Sequence, residues 1–172
     1  LLAAAVVIVV RQLLCYGQLA AYPTMDFERV FTVAVNETVN GFIEEPYLDY
    51  FYKYPNNMPL TILLSFFFRE VHRLGYSKFY VVGALVNAGC MLLTYGLVYA
   101  IVRRLLGVPK AFFAILLLYF CIPLQSQISI FYTDTVTLPF APFAFYCYLR
   151  LRAAQRWKGI LLVSAILSAG MA

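Results

Sequence analysis

The stretch Met58-Pro-Leu-Thr-Ile-Leu-Leu-Ser-Phe-Phe-Phe68 decides how the chain is read: it is apolar and carries no charge. A transmembrane helix needs about 20 such residues to cross roughly 30 Å of hydrocarbon, and a run of this length suits a core or interfacial helix instead. Whether it crosses sets the side of the membrane on which every later segment lies. The run sits in a chain of 172 residues that is 63% hydrophobic and 12% charged, with a mean hydropathy of +0.81. Soluble domains carry about a quarter charged residues, so the composition argues against a water-soluble globular protein.

Around this run lie longer apolar blocks at about residues 1–21, 79–102, 111–130, 135–149 and 159–172. They predict an all-α polytopic membrane protein, a single transmembrane module over 1–172. Arg11 interrupts the first block, and Pro139 and Pro142 fall inside the fourth. No Met start, basic leader or Ala-x-Ala site precedes the first block, so it reads as a helix and not as a signal peptide. Both ends look cut, and the stretch by itself is expected to lack activity.

Charge settles the reading of 58–68. Cytoplasmic loops collect Lys and Arg. Arg103, Arg104 and Lys110 form one acid-free basic loop, and Arg150, Arg152, Arg156 and Lys158 form another. With both inside, the connection 131–135 is external, the block 79–102 runs inward, and residues 22–78 lie wholly outside. A crossing at 58–68 would reverse all of this, so the run is expected to lie in the outer interface. The external loop then holds Asp26, Glu28, Glu37, Glu44, Glu45, Asp49 and Glu70, and the remaining acid, Asp134, lies in the other external connection.

Two interfacial helices are predicted in the external loop, at about 26–40 and 57–74. In the first, Phe27, Val30, Phe31, Ala34, Val35 and Thr38 recur at helical spacing and Asn40-Gly41 supplies a stop. In the second, Asn57 is suited to cap, Pro59 to the first turn and Gly75 to the end. The aromatic stretch between them, Glu44 to Tyr54, suits the headgroup zone.

Cys15, Cys90, Cys121 and Cys147 stand alone in apolar stretches, which signals neither a zinc site nor a disulfide framework. His72 lies among Arg69, Glu70 and Arg73 with no second ligand type nearby. The net charge of +5 comes from loops that topology already explains, so nucleic acid is not an expected partner. No Gly-rich phosphate loop or nucleotide fingerprint is present.

Asp26, just past the first block, and Asp134, in a connection of about five residues, are pinned near the outer headgroup level. A carboxylate pair at the depth of a lipid phosphate is suited to general-base work on an acceptor hydroxyl and to ligation of a divalent cation. The residues alone leave a second reading open, in which Asp26 and Asp134 merely cap the helices that follow them. Arg29 and Lys53 are external cations that match a donor phosphate, or simply neutralise nearby Glu. Asn56 and Asn57 suit a sugar or acceptor hydroxyl as well as a helix cap. Tyr132 suits a sugar pocket as well as an interfacial anchor.

Four elements resemble the GT-C superfamily of membrane glycosyltransferases. The first is the acidic motif after the first span, Tyr22-Pro-Thr-Met-Asp26-Phe-Glu28-Arg29, and the second is the large external loop with two interfacial helices. The third is Tyr54-Pro-Asn-Asn-Met-Pro-Leu60, similar to the Pro-rich opening of the second such helix. The fourth is Phe131-Tyr-Thr-Asp-Thr135, which looks like the Tyr-Thr-Asp element of bacterial relatives of the protein mannosyltransferases and lipid-linked-oligosaccharide glucosyltransferases. The resemblance implies a GT-C-like helix bundle that transfers a sugar from a polyprenyl-phosphate donor to a protein, lipid or polysaccharide acceptor. The setting it implies is the outer face of a bacterial plasma membrane, in cell-envelope chemistry. It implies Asp26 as base, with Asp134 its neighbour at the donor phosphate; Glu28, Arg29, Lys53, Tyr54, Asn56, Asn57 and Tyr132 are the residues expected around the substrate. It also implies a divalent metal in some members, for which Asp26 and Asp134 are the expected ligands to Mg2+ or Mn2+. Family members commonly carry adjacent acids; here Glu28 is one residue further on, about 200° around a helix from Asp26. The base role is therefore expected of Asp26 alone.

Two other functions compete. A transporter or flippase would place ionisable groups near the midplane, whereas every acid here is external. A non-catalytic membrane subunit of polysaccharide assembly would keep the fold without the carboxylate pair.

Overall fold

Every element among the described residues is helical, in a computed structural model that describes residues 6, 10, 14, 25–121, 130, 132–153, 159, 163, 165, 167 and 168. Apart from those scattered positions, the predicted spans 1–21 and 159–172 lie outside the described residues, as do 122–129 of the third span. The elements are α1 (Met25–Asn40), α2 (Glu45–Lys53), a 3-10 turn (Pro55–Asn57), α3 (Met58–Arg73), α4 (Phe79–Leu106), α5 (Val108–Phe120), α6 (Thr133–Thr137) and α7 (Phe140–Ala153).

The region read as an aromatic headgroup segment contains a helix of its own, α2. Pro46 in its first turn needs no N–H partner, and Glu45 and Lys53 sit at the ends where the helix dipole favours their charges. α2 folds back along α1. Asn36 donates to Glu44 at 3.1 Å, and the Arg29 guanidinium lies 5.4 Å from the centre of the Tyr47 ring. The chain then turns through Pro55–Asn57 into α3, which runs alongside α1. Thr38 bonds the Ser65 carbonyl at 3.4 Å, and Arg69 pairs with Glu37.

α3 is apolar on two faces. Leu60, Leu64 and Phe68 are buried against Phe27, Val30 and Ala34 of α1, Phe79 and Val82 of α4 and Val136 of α6. Met58, Ile62 and Phe66 form a second stripe at a spacing of four that stays exposed. Its sixteen residues give about 24 Å of helix, short of the hydrocarbon thickness. Gly75, at φ +81, closes it: Tyr76 N–H reaches the Val71 carbonyl at 3.0 Å and Gly75 N–H reaches that of His72 at 2.9 Å. This Schellman arrangement needs a left-handed residue after the cap.

α4, with 28 residues, is the one helix among the described residues that is long and apolar enough to cross a membrane. Ala84, Asn87, Ala88, Met91, Thr94 and Tyr95 recur every three or four residues on its buried face. α4 and α5 are joined by Gly107 alone, at φ 89 and ψ 172, a backbone region that only glycine occupies without strain. Gly107→Ala is therefore expected to lower stability by about 1–3 kcal/mol although no side chain blocks the added methyl. Thermal unfolding of the detergent-solubilised protein would measure this, and an unchanged melting temperature would contradict it.

The segment 135–149, expected as one helix, is two. Pro139 lacks an N–H and its ring crowds the preceding turn, so α6 stops at Thr137 and the chain restarts as α7 at Phe140. Phe143 N–H reaches the Pro139 carbonyl at 2.9 Å, which leaves Pro142 in the first turn, where no donor is required.

Candidate functional site

The ends of four elements meet at one place: the first turn of α1, the last turn of α2, the turn before α3 and the start of α6. Tyr50, on the last turn of α2, is half-buried, with its ring 5.2 Å from those of Phe51 and Tyr54. Its hydroxyl donates to the Asp26 carboxylate and accepts from Asn57 Nδ2 at 2.6 Å. The other end of the Asn57 amide, Oδ1, accepts from Thr133 Oγ1 at 2.7 Å. The protons all point the same way, from Thr133 through Asn57 and Tyr50 to Asp26. Because the two Asn57 partners have opposite requirements, its amide has one orientation that satisfies both.

Electrostatics keep this chain directional. Burial, then the hydrogen bond and charge of Asp26, push the Tyr50 phenol well above the ordinary tyrosine value, so it stays a neutral donor throughout the physiological range. Tyr132 is also raised, first by burial and then by the charges of Asp26 and Asp134, while the Phe27 backbone N–H donates to its phenol and opposes the shift. One phenol thus senses both carboxylates, which stand 108 positions apart in the chain.

Asp26 and Asp134 both lie inside first helical turns. Asp26 is the second residue of α1, inside its first turn. Asp134 lies in the first turn of α6, whose N-cap position is Tyr132, with Tyr132 N–H donating to Thr135 Oγ1 at 3.2 Å. Asn57 precedes α3 but makes no side-chain cap; its amide is committed to Tyr50 and Thr133, and it is 5% exposed.

The other candidates are spread around the cluster. Glu28 is exposed, whereas Asp26 is half-buried, as the 200° offset requires. Arg29 is exposed and covers Tyr47. Lys53 and Asn56 are exposed, and Tyr54 caps α2 while stacking obliquely on Tyr50. Asp134 is exposed. Sequence reasoning missed Tyr50 and Thr133. The start and stop signals of α2, Pro46 with Glu45 and then Lys53, would have placed Tyr50 on the same helical face as Tyr47 and Tyr54. Nothing in Thr133 itself marked it.

Among the described residues no three His, Cys, Asp or Glu side chains converge.

These features define a helical protein with a helix of membrane-spanning length and a hydrogen-bonded chain ending on the Asp26 carboxylate where the ends of four elements meet. Residues 58–172 match the family model described as dolichyl-phosphate-mannose-protein mannosyltransferase, and the chain belongs to that family. Membership carries a glycosyltransferase-like role. The matched segment contains Tyr132, Thr133 and Asp134, whereas Asp26, Tyr50 and Asn57 precede it. No curated protein and no solved structure matches the chain.

Proposed function

We propose that this is a GT-C-type membrane glycosyltransferase that moves one sugar from a polyprenyl-phosphate donor to an acceptor hydroxyl on the extracytoplasmic face. The observation that carries the proposal is the half-buried Asp26 carboxylate held by Tyr50, in a chain that ends on Thr133 beside Asp134. The acceptor oxygen forms a bond to the anomeric carbon as the carbon–oxygen bond to the phosphate breaks. The acceptor proton passes to Asp26, and polyprenyl phosphate leaves. Tyr50 orients the carboxylate for the acceptor. Asp134, Arg29 and Lys53 lie at the donor phosphate. Asp26 and Asp134 would hold a divalent cation where one is bound, and its chemistry would be to neutralise charge on the leaving phosphate.

The membrane arrangement follows from the distribution of charge along α4. The acid-bearing elements α1 to α3 and the first turn of α6 gather around its Phe79 end, while Arg103, Arg104 and Lys110 lie at its Leu106 end. With α4 across the bilayer, the first group faces outward and the second faces the cytoplasm. α1 and α3 then rest in the outer interface, with Met58, Ile62 and Phe66 against lipid. The plasma membrane of a bacterium is the setting that this arrangement fits.

Two measurements test the reading. The intact protein in detergent should release polyprenyl phosphate from a polyprenyl-phosphate sugar when an acceptor is supplied; absence of release with every donor sugar tried would remove the transferase assignment. In a cysteine-free background, Asn40→Cys should react with an impermeant thiol reagent in intact cells and Pro109→Cys should not. Labelling of both would mean that Met58–Arg73 crosses the membrane.

A further inference from the structure

A second cleft lies near the opposite end of α4 from Asp26. Gly96, Ala100, Arg103 and Arg104 fall at offsets of four, seven and eight, which puts them on one face of the helix. A Cβ on Gly96 would meet nothing within 4 Å, so the floor of the cleft is open. Tyr99 and, from α7, Tyr146 complete a cavity of about 460 Å³ with these four residues. That volume is within the range of small-molecule sites, roughly 300–1,000 Å³. Tyr99 is held edge-on by Phe112 of α5, with ring centres 5.5 Å apart.

The charge at this cleft has no counterpart in the protein. Arg103 and Arg104 are exposed on the last turn of α4, and the ion pairs among the described residues belong to Arg69 and Arg73 on α3. Every carboxylate of the chain falls between positions 26 and 70 or at 134, away from this end. Lys110 and, on the last turn of α7, Arg150 and Arg152 add further cations. An anion from outside the chain is what such a site lacks.

Helix length sets the depth. With α4 spanning the bilayer as proposed above, about 20 residues from Phe79 carry it through the hydrocarbon. Tyr99 to Arg104 then emerge among the cytoplasmic headgroups. Guanidinium groups bind phosphate by paired donors, tyrosines suit the headgroup level, and the Gly96–Ala100 trough leads back toward the acyl layer.

We infer that this cleft binds the phosphate headgroup of an anionic phospholipid of the cytoplasmic leaflet, with Arg103 and Arg104 on the phosphate and an acyl chain along Gly96 and Ala100. Basic pockets between membrane helices on this side are a recurrent form of lipid site. The site is separate from the transfer chemistry and contains none of its residues.

The test uses the intact protein in neutral detergent, titrated with short-chain phosphatidylglycerol, short-chain phosphatidylcholine or glycerol phosphate, with bound ligand counted by native mass spectrometry. Phosphatidylglycerol should bind one to one and phosphatidylcholine should not. Arg103→Gln with Arg104→Gln should weaken binding about 25-fold, a factor of about five for each charge. Gly96→Leu, which fills the cleft and favours helix, should weaken it at least about tenfold with both arginines intact. Wild-type binding by Gly96→Leu would mean unlocalised attraction to the basic surface and would overturn the site. Binding of glycerol phosphate as tight as that of phosphatidylglycerol would overturn the lipid assignment. Should Gly96→Leu melt below the wild type, the double Gln variant decides, since exposed arginines at a helix end can be replaced without disturbing the core.

Discussion

Asp26→Asn is expected to lower the rate of sugar transfer by about 10²- to 10⁴-fold while leaving the protein folded. The amide keeps an oxygen to accept the Tyr50 proton, so the chain from Thr133 through Asn57 survives, and only the capacity to take the acceptor's proton is removed. The loss should appear in kcat and in kcat/KM alike, because the interaction exists only as the proton moves. Asp26→Ala differs in a way that can be measured. It also leaves Tyr50 without its acceptor, and should therefore add a loss of stability of about 1–3 kcal/mol that Asp26→Asn does not show. Transfer at the wild-type rate by Asp26→Asn would mean that the carboxylate is structural and that the proposed chemistry is wrong.

Asn57→Ala is expected to cost about 2–4 kcal/mol of stability and to slow transfer by roughly 10- to 100-fold. Asn57 is buried and joins two segments that are far apart in sequence, so its removal strands the Thr133 hydroxyl and withdraws the donor that orients the Tyr50 phenol. The rate falls because Asp26 is less well positioned, not because a reacting group is lost. Thr133→Val removes only the link to α6, and the double variant should lose less than the sum of the two singles. Thermal unfolding of the four proteins gives the coupling directly. Additivity within about 0.5 kcal/mol would show that the segments before α3 and at α6 are not energetically joined through this amide. Asn57→Asp makes a sharper variant, since it keeps an acceptor for Thr133 but sets a second carboxylate against the phenol that already serves Asp26.

Much of the fold is local and was readable as such. The spacing of Phe27, Val30, Phe31 and Ala34 marks α1; Asn40-Gly41 and Gly75 mark helix ends; the uninterrupted apolar run after Lys78 marks α4. Each is a statement about 3.6-residue periodicity or about a backbone angle that glycine tolerates, and such properties reside in a few neighbouring residues. The break at Pro139 was equally local, because a missing N–H and a steric clash need no distant partner. α2 is less legible, because its aromatic residues suit a membrane surface as well as a helix and only Pro46, Glu45 and Lys53 mark its ends.

The cluster around Asp26 is of another kind. Composition and charge placement pointed to Asp26 and Asp134 as candidate acids and to Asn57 as a polar residue at a helix start. Whether Asn57 capped α3 or did something else was undetermined, because an Asn before a helix satisfies the capping rule in any context. Only the packing of α1, α3, α4 and α6 around Leu64, Phe68 and Val136 brings Thr133 to the far side of that amide, and the amide, turned to Tyr50 and Thr133, makes no cap to α3. Residue types and their spacing thus determined α1, α3 and α4, the asymmetry of charge and the resemblance to the family. Tertiary structure decided which side chains face Asp26, because a hydrogen bond between positions 57 and 133 depends on how the intervening helices pack, a quantity that no window of sequence contains.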